Sequence, residues 1–477
     1  MTIPSIGARK AATPLAPGPQ LCGVNTGMAR RTRNDAGVEN DLPIGGFFNA
    51  NTIDHSWYNW QDSYPFFYKA SIDFALKMGA RVFRVLTPSY AYWAHANGVS
   101  YEYAMDKGTI TSRYRQLCEY IASQGGYTFP CALHHQWSAD PDRTGDALWD
   151  GPVPGVSPGI QATIDIAVAV CLEAVRVGNC VGIDLVNEYE LVQNAFPNGP
   201  NIFNVAPSFR LNAVINAMRT ELRAKAPRTP LCVSSLSPAA LQQQQFNVSE
   251  SLSDFRDAHQ YFMSNEGHNV QQRPVIDEFR FLTDNDPAPQ SGRLRADMYQ
   301  FSGESGWKLN AFTQTQNQYD DNGDVHFQRW IAQFESPSTV TGSPRLCGGC
   351  MWQVFHQSDP SGPEELGLVN VYRTSQVEAA LAAEAAAKAN GTYNYDIWPM
   401  TIAKGAAIRA GTLVPTPGTL DALMYPKMVG RLSEWFGKQI VPNANGHGIP
   451  RFLSPRARRG TTRLATKLAP WKDEVLL

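Results

Sequence analysis

Short apolar segments alternate with longer amphipathic segments along most of the chain. Apolar residues at helical spacing predict helices at residues 64–78, 111–123, 160–177, 206–226 and 327–334. Apolar segments of strand length lie between them, at residues 21–25, 80–86, 127–134, 180–187, 230–235, 257–261, 274–278 and 350–355. Strands that alternate with helices are typical of βα units around a parallel sheet. The pattern predicts an α/β fold, a (β/α)8 TIM barrel that occupies residues 21–440.

Two segments interrupt this alternation as predicted loop insertions, residues 46–64 after the first strand and 283–324 after the seventh. Loops that follow barrel strands lie at the catalytic face, so we expect both to flank one cleft. Beyond the eighth strand, the sequence predicts a C-terminal extension with helices at 376–389, which a capping box opens, and at 426–436, which begins with proline. We expect one of the two to close the barrel. Residues 1–20 are predicted to form an extended arm and residues 441–477 a basic tail.

Composition narrows the class of protein. The chain has 477 residues, 43% of them hydrophobic and 18% charged, which is enough to bury a large core. Its net charge of −2 does not indicate a nucleic-acid partner. We predict no signal peptide and no membrane span, so the protein's location stays open between extracellular action and association with a virion. Residues 451–472 carry seven basic and no acidic residues, which predicts either a solvated tail or an anionic partner.

The eight cysteines lie mostly in apolar segments, which favours buried thiols over disulfides. Cys347 and Cys350 have the spacing of a metal-binding pair, but no second pair follows, so zinc is not predicted. The chain has no HExxH motif. We therefore predict neither a metal nor a cofactor.

Two glutamates at predicted strand ends are the candidate catalytic residues. Glu188 follows the fourth strand, next to Asn187, and Glu278 ends the seventh. Cleavage of a glycosidic bond needs two carboxyl groups, one to protonate the leaving oxygen and one to attack the anomeric carbon or activate water. Two neighbouring acids compete with them: strand alternation directs Asp277 away from the side of Glu278, whereas the direction of Glu190 stays open.

In this order along the chain, these residues resemble glycoside hydrolase family five, the cellulase-like branch of the clan A retaining barrel glycosidases. The resemblance covers residues 21–356 and is carried by Asn187-Glu188 and Glu278, together with Arg84, His134, His259, Tyr261 and Trp352. Two departures are visible. Glu278 is followed by Phe-Arg where many members have Phe-Gly, and the third strand lacks the usual Asp ahead of its His.

The resemblance implies a retaining, endo-acting β-glycosidase of polysaccharides, with Glu188 as acid/base and Glu278 as nucleophile. Arg84 and Tyr261 would support Glu278, and Trp352 would form a sugar platform. Trp137 is one of several loop aromatics that either bind sugar or anchor the loops. Alternatives are a transglycosylase, which would use the same residues, and a glycan-binding or structural barrel without activity. A third hypothesis concerns context and makes the protein a component of a larger assembly such as a virus particle. The sugar and its linkage stay open.

Overall fold

The computed structural model describes the sheet of the predicted barrel and six of the helices around it. The described residues are 21–26, 31–33, 39–41, 68–86, 106–133, 158–189, 209–235, 252–263, 300–308, 316–335, 348–354, 367–369 and 424–437, with the single residues 382, 386, 389–391 and 412. The predicted N-terminal arm, the insertion at 46–64, the basic tail and most of the helix at 376–389 lie outside these residues.

Eight parallel strands form one sheet. In chain order they are β1 (Leu21–Asn25), β2 (Val82–Leu86), β3 (Tyr127–Cys131), β4 (Ile183–Asp184), β5 (Leu231–Cys232 and Ser234–Ser235), β6 (Arg256–Ala258 and Gln260–Met263), β7 (Gln300–Lys308) and β8 (Gly348–Met351). Each strand pairs in parallel with the next along the chain, and β1 pairs with both β2 and β8. This order is that of a (β/α)8 barrel.

The two halves of β5, separated by Val233, close the barrel. Leu231 and Cys232 pair with β4, whereas Ser234 and Ser235 pair with β6. The sheet therefore returns to the strand at which it began, as a closed barrel requires. A separate antiparallel pair, Arg31–Arg33 with Glu39–Asp41, follows β1.

Helices cover the outside of the barrel where the apolar periodicity predicts them. They are α1 (Tyr68–Lys77), α2 (Lys107–Ser123), α3 (Pro158–Val177), α4 (Phe209–Lys225), α5 (Gln316–Glu335) and α6 (Pro426–Gly437). The side chain of Asp106 accepts a hydrogen bond from the Thr109 N–H and caps α2. Five helices confirm the predicted segments to within a few residues, but α5 begins well before residue 327.

The seventh strand is the main difference from the prediction. The strand that pairs with β8 is β7, which lies inside the segment predicted to be a loop at 283–324, and α5 begins in the same segment. The predicted strand at 274–278 lies outside the described residues. The apolar pattern missed β7 because its first residues, Gln-Phe-Ser-Gly-Glu-Ser, are mostly polar or small and face a polar barrel interior and a helix.

The core has two parts. The larger part is formed by side chains of the helices and of the outer faces of the strands. The smaller part lies inside the barrel and includes Phe129, Phe255 and Phe301. These rings lie 5.1 to 6.3 Å apart and make a hydrophobic floor beneath the polar residues described below. The seven described cysteines are buried and form no disulfide, which confirms that part of the prediction. Among the described helices, none has the length and apolar character to cross a membrane.

Candidate active site

Two buried glutamates face each other across the C-terminal end of the barrel. Glu188 follows β4, and Glu304 lies in β7. The pairing of β7 with β8 shifts by one residue between Ser302 and Ser305, so Gly303 and Glu304 occupy a β-bulge. Because a bulge redirects the side chain that it carries, the bulge contributes to aiming Glu304 into the barrel.

His259, at the break in β6, lies between the two carboxylates. Its Nδ1 is 2.9 Å from Oε1 of Glu188 and 3.4 Å from Oε2 of Glu304. One oxygen of each glutamate and the imidazole nitrogen all lie within 4.8 Å of one another. The two carboxylates are thus near enough to act on the same bond.

Arg84 joins the strands that carry the site. Its Nη1 donates to Oε1 of Glu304 at 2.6 Å and to Oδ1 of Asn25 at 2.9 Å. Its Nη2 donates to Oδ2 of Asp184 at 2.6 Å and to Oδ1 of Asn187 at 2.5 Å. Because the guanidinium is planar and rigid, these four bonds hold the side chains from β1, β4 and β7 in one arrangement.

Asn25 and Asp257 hold the bulge in β7 from its two sides. The Asn25 amide donates to the carbonyl oxygen of Gly303 at 2.8 Å, and the N–H of Gly303 donates to Oδ1 of Asp257 at 2.6 Å. A Cβ at position 303 would collide with the Asp257 carboxyl. Only glycine therefore allows this close approach next to Glu304.

Burial and neighbouring charges shift the pKa values of Arg84 and of the acids around it. By itself burial would lower the pKa of Arg84, but the acidic groups around it, Cys131, Glu304 and Asp184, raise it well above its ordinary value. Burial raises the pKa of Asp184, although Arg84 opposes this. Burial, and after it the charge of Asp184, raise the pKa of Asp257 well above its ordinary value. Of the two buried aspartates, Asp257 is thus the one whose pKa is raised further above its ordinary value.

The structure brings four of the predicted site residues together: Arg84, Asn187, Glu188 and His259. Trp352 follows β8, is half-buried, and its backbone N–H donates to the carbonyl oxygen of Ser305 at 2.8 Å. Tyr261 lies in β6, where only its backbone is described. The remaining three, His134, Trp137 and Glu278, lie outside the described residues.

Glu304 is a site residue that the sequence pattern did not predict. The available signal was an acid in a short segment rich in Gly and Ser, shortly before an amphipathic helix, but that segment lacks the apolar alternation of a strand. The polar residues that position the site, Asn25, Asp257 and Ser234, were not predicted either, because no short motif marks them.

Glu188, His259 and Glu304 are also the described residues that are able to hold a metal ion. The distances from His259 Nδ1 to the nearest oxygens of Glu188 and Glu304, 2.9 and 3.4 Å, are close to the separation of neighbouring ligands around a small divalent cation. Against this, the Arg84 guanidinium already occupies the other oxygen of Glu304 and disfavours a second positive charge there.

Comparisons with known proteins give structural likeness alone. No protein-family model and no curated protein sequence matches the chain. A β-glucosidase from Exiguobacterium marinum matches with a TM-score of 0.44 and 13% identity, over 73% of this chain and 93% of that chain. A β-glucosidase from Thermotoga maritima in complex with galacto-hydroximolactam matches with a TM-score of 0.45 and 12% identity, over 76% of this chain and 94% of that one. Likeness at these values carries no argument, so the fold assignment rests on the strand order of the chain itself.

Proposed function

We propose that the protein is a retaining β-glycoside hydrolase in which Glu188 is the acid/base and Glu304, in place of Glu278, is the nucleophile. The observation that carries the proposal is the pair of buried carboxylates at the C-terminal end of a closed barrel, with oxygens within 4.8 Å of each other. Retaining glycosidases place their two carboxyl groups about 5–5.5 Å apart and inverting ones about 6.5–9.5 Å apart. The spacing favours direct attack by a carboxylate over attack by an intervening water.

The contacts of each glutamate favour this division of roles. Arg84 donates to Glu304 at 2.6 Å, and an adjacent cation stabilises the negative charge that a nucleophile needs. Glu188 makes no ion pair with Arg84 among the described contacts; its carboxyl group meets the His259 ring instead. An acid/base has to exchange a proton during the reaction, and contact with a titratable ring is compatible with that.

In the proposed reaction, Oε2 of Glu304 attacks the anomeric carbon while Glu188 gives its proton to the departing oxygen. Water then attacks the anomeric carbon from the side of Glu188, which takes a proton from it, and the bond between that carbon and Glu304 breaks. Trp352, half-buried at the end of β8, offers a surface for a sugar ring. With the family-five resemblance, these features support a β-linked oligo- or polysaccharide as substrate and endo-acting cleavage.

The decisive experiment compares Glu304→Gln with Glu278→Gln, a matched pair in which each variant removes one carboxylate. Wild type is first screened on β-glucans, mannans, xylans and aryl β-glycosides. We expect Glu304→Gln to lose turnover by at least about 10³-fold while it folds and binds glycan, because it removes the attacking group. Glu278→Gln should retain most of the activity. The opposite ranking would assign the nucleophile to Glu278.

A second measurement tests the acid/base. Glu188→Ala should lose least activity on aryl glycosides with good leaving groups, since these need little protonation to depart. Added azide should restore its turnover and give a β-glycosyl azide, because azide attacks the glycosyl-enzyme without base assistance. Inversion at the anomeric carbon in the wild-type reaction, followed by NMR, would refute the retaining mechanism.

The ligand geometry of Glu188, His259 and Glu304 supports a second candidate, a metal-dependent hydrolase. Exhaustive treatment with EDTA distinguishes the two. A carboxylate pair assisted by Arg84 should keep full activity without metal, whereas loss of activity that added Zn²⁺ or Mn²⁺ restores would favour the metal.

A further inference from the structure

The backbone of Glu188 is in an unusual conformation. Its φ is +54°, and it is the sole non-glycine residue with a positive φ among those the structure describes. This left-handed region disfavours residues with a Cβ, and such a conformation persists only when the surrounding contacts hold it. The feature therefore calls for a group that stabilises the peptide of Glu188.

The hydroxyl group of Ser234, in β5, is that group. Ser234 Oγ accepts a hydrogen bond from the N–H of Glu188 at 2.9 Å. The same hydroxyl lies 2.9 Å from Oδ2 of Asp184 and 3.0 Å from the carbonyl oxygen of Val186, its two possible acceptors. Ser234 is completely buried, so water does not replace these bonds if they are lost.

The residues on both sides of Glu188 are also held by hydrogen bonds. The N–H of Asn187 donates to the carbonyl oxygen of Leu133 at 2.7 Å, and the hydroxyl of Tyr189 donates to Oδ1 of Asn212 in α4 at 3.0 Å. With both sides held, the orientation of the Glu188 peptide depends on its own hydrogen bond to Ser234.

The same hydroxyl also connects the two glutamates. Asp184, which Ser234 contacts, accepts from Arg84, and Arg84 donates to Glu304. A continuous series of buried hydrogen bonds thus extends from the Glu304 carboxylate to the backbone of Glu188. A change at Ser234 would be felt first at Glu188, the nearer end of the series.

We propose that Ser234 is a positioning residue for the acid/base: its hydroxyl holds Glu188 in the left-handed conformation that directs the carboxyl group towards His259 and Glu304. This rests on the proposed function of Glu188. The described hydrogen bonds of Ser234 are to Glu188, Asp184 and Val186 and not to Glu304, and Ser234 takes no part in bond making or breaking.

The test compares Ser234→Ala with Ser71→Ala. Ser71, in α1, is equally buried, and its hydroxyl has no hydrogen-bond partner among the described residues. The control therefore removes a buried hydroxyl oxygen, as Ser234→Ala does, but it breaks no described hydrogen bond. Both variants are assayed for kcat/KM on a phenyl and a 2,4-dinitrophenyl β-glycoside of the sugar that wild type accepts. For Ser234→Ala we expect a loss of at least about tenfold on the phenyl glycoside and almost none on the dinitrophenyl glycoside, since only the former needs the acid.

Equal losses on both glycosides, or no loss on either, would overturn the proposal. Ser71→Ala should behave as wild type on both. If Ser234→Ala does not fold, Ser234→Cys retains a group able to donate and accept weakly, and it should show the same selective loss in smaller measure.

Crystal structures of wild type and Ser234→Ala supply a readout that needs no activity. We expect the variant to change the φ of Glu188 or to lengthen the contact of Glu188 with His259. Unchanged geometry at both would overturn the proposal even if activity falls. If wild type cleaves no glycoside, the proposed function fails, while the structural comparison still decides whether Ser234 holds Glu188.

Discussion

At the scale of single residues, the barrel interior balances one cation against several carboxyl groups. Asp184 and Glu304 each accept from Arg84, but the Asp257 carboxyl accepts from the N–H of Gly303 and has no hydrogen bond to Arg84 among the described contacts. Burial and the charge of Asp184 raise the pKa of Asp257 well above its ordinary value. Burial therefore disfavours the charged form of Asp257 more than that of Asp184, whose pKa Arg84 lowers in opposition to burial.

Matched substitutions separate the two aspartates. Asp184→Asn removes the charge that pairs with buried Arg84 and should destabilise the fold by about 3–5 kcal/mol. Asp257→Asn resembles the protonated acid, keeps an acceptor for Gly303, and should be as stable as wild type or more stable at pH 7. Urea unfolding of both variants at pH 7 measures the difference. Similar large losses in both would mean that Asp257 is ionised too.

The pH dependence of Asp257→Asn has a definite sign. In wild type the folded-state pKa of Asp257 is raised, so the folded state binds more protons than the unfolded state above about pH 4. Wild-type stability from this group therefore falls as pH rises from about 4. The difference in unfolding free energy between Asp257→Asn and wild type should therefore shift in favour of the variant from pH 4 to pH 7. A difference that stays constant over this range would contradict a raised pKa of Asp257 in the folded protein.

At the scale of elements, β7 is tied to α5 as well as to its neighbouring strands. His326 in α5 contacts the hydroxyl of Ser305 at 3.0 Å, and Ser305 follows Glu304 in the strand. His326 is completely buried, and burial lowers its pKa to about 3. A neutral imidazole thus helps to hold the strand that carries the proposed nucleophile.

Acid should destabilise the protein through His326. Its unfolded-state pKa is about 6.5 and its folded-state pKa about 3, so the unfolded state binds the additional proton between these values. The stability contribution is complete above about pH 6.5 and decreases by about 1.4 kcal/mol per unit as pH falls towards 3. His326→Gln should therefore show a smaller loss of unfolding free energy than wild type between pH 7 and pH 4.5, measured in urea.

Asp320→Asn is the control with the opposite sign. Asp320 in α5 accepts from the N–H groups of Lys427 and Met428 at the start of α6, and burial raises its pKa to about 6. Wild-type stability from this carboxyl decreases as pH rises from about 4 to 6, so its removal should increase the net loss on acidification. If His326→Gln and Asp320→Asn changed the acid-induced loss of unfolding free energy in the same direction, neither His326 nor Asp320 would determine how stability depends on pH in this range.

At the scale of the whole molecule, the last described helix completes the barrel. α6 packs on α5 with the apolar side chains of Met428, Val429, Leu432, Trp435 and Phe436 buried. Ion pairs join the same two helices, between Lys427 and Asp321 and between Arg431 and Asp324. This confirms that one of the two helices predicted beyond the eighth strand packs against the barrel, and it identifies that helix as α6.

Truncation should reveal this boundary. A chain that ends at residue 440 should fold and retain its activity on a small glycoside. A chain that ends at residue 425 loses α6. Burial of four side chains of α6, Met428, Val429, Leu432 and Phe436, alone contributes roughly 6–12 kcal/mol to the free energy of unfolding, which is comparable with the whole stability of a domain. Thermal unfolding followed by calorimetry measures both. Cooperative unfolding of the shorter chain near the wild-type temperature would show that α6 is dispensable.

The sequence by itself determined the barrel and half of the proposed site. Apolar periodicity located α1, α2, α3 and α4, and the apolar strand before Asn187-Glu188 was enough to place an acid at a barrel mouth. Arg84 and His259 were predicted as site residues through the resemblance to glycoside hydrolase family five, which their order along the chain carries. These features follow from local patterns, in which burial of one face dictates the order of residues.

Only the tertiary structure shows that Glu304 faces Glu188. Glu278 ends an apolar segment and so attracts attention in the sequence, whereas Glu304 lies in a strand of small and polar residues whose pairing with β8 is visible only in the folded chain. The bulge, the left-handed peptide of Glu188 and the hydroxyl of Ser234 depend on contacts between segments tens to hundreds of residues apart. No local pattern encodes such contacts, because they arise only when the strands close into a barrel.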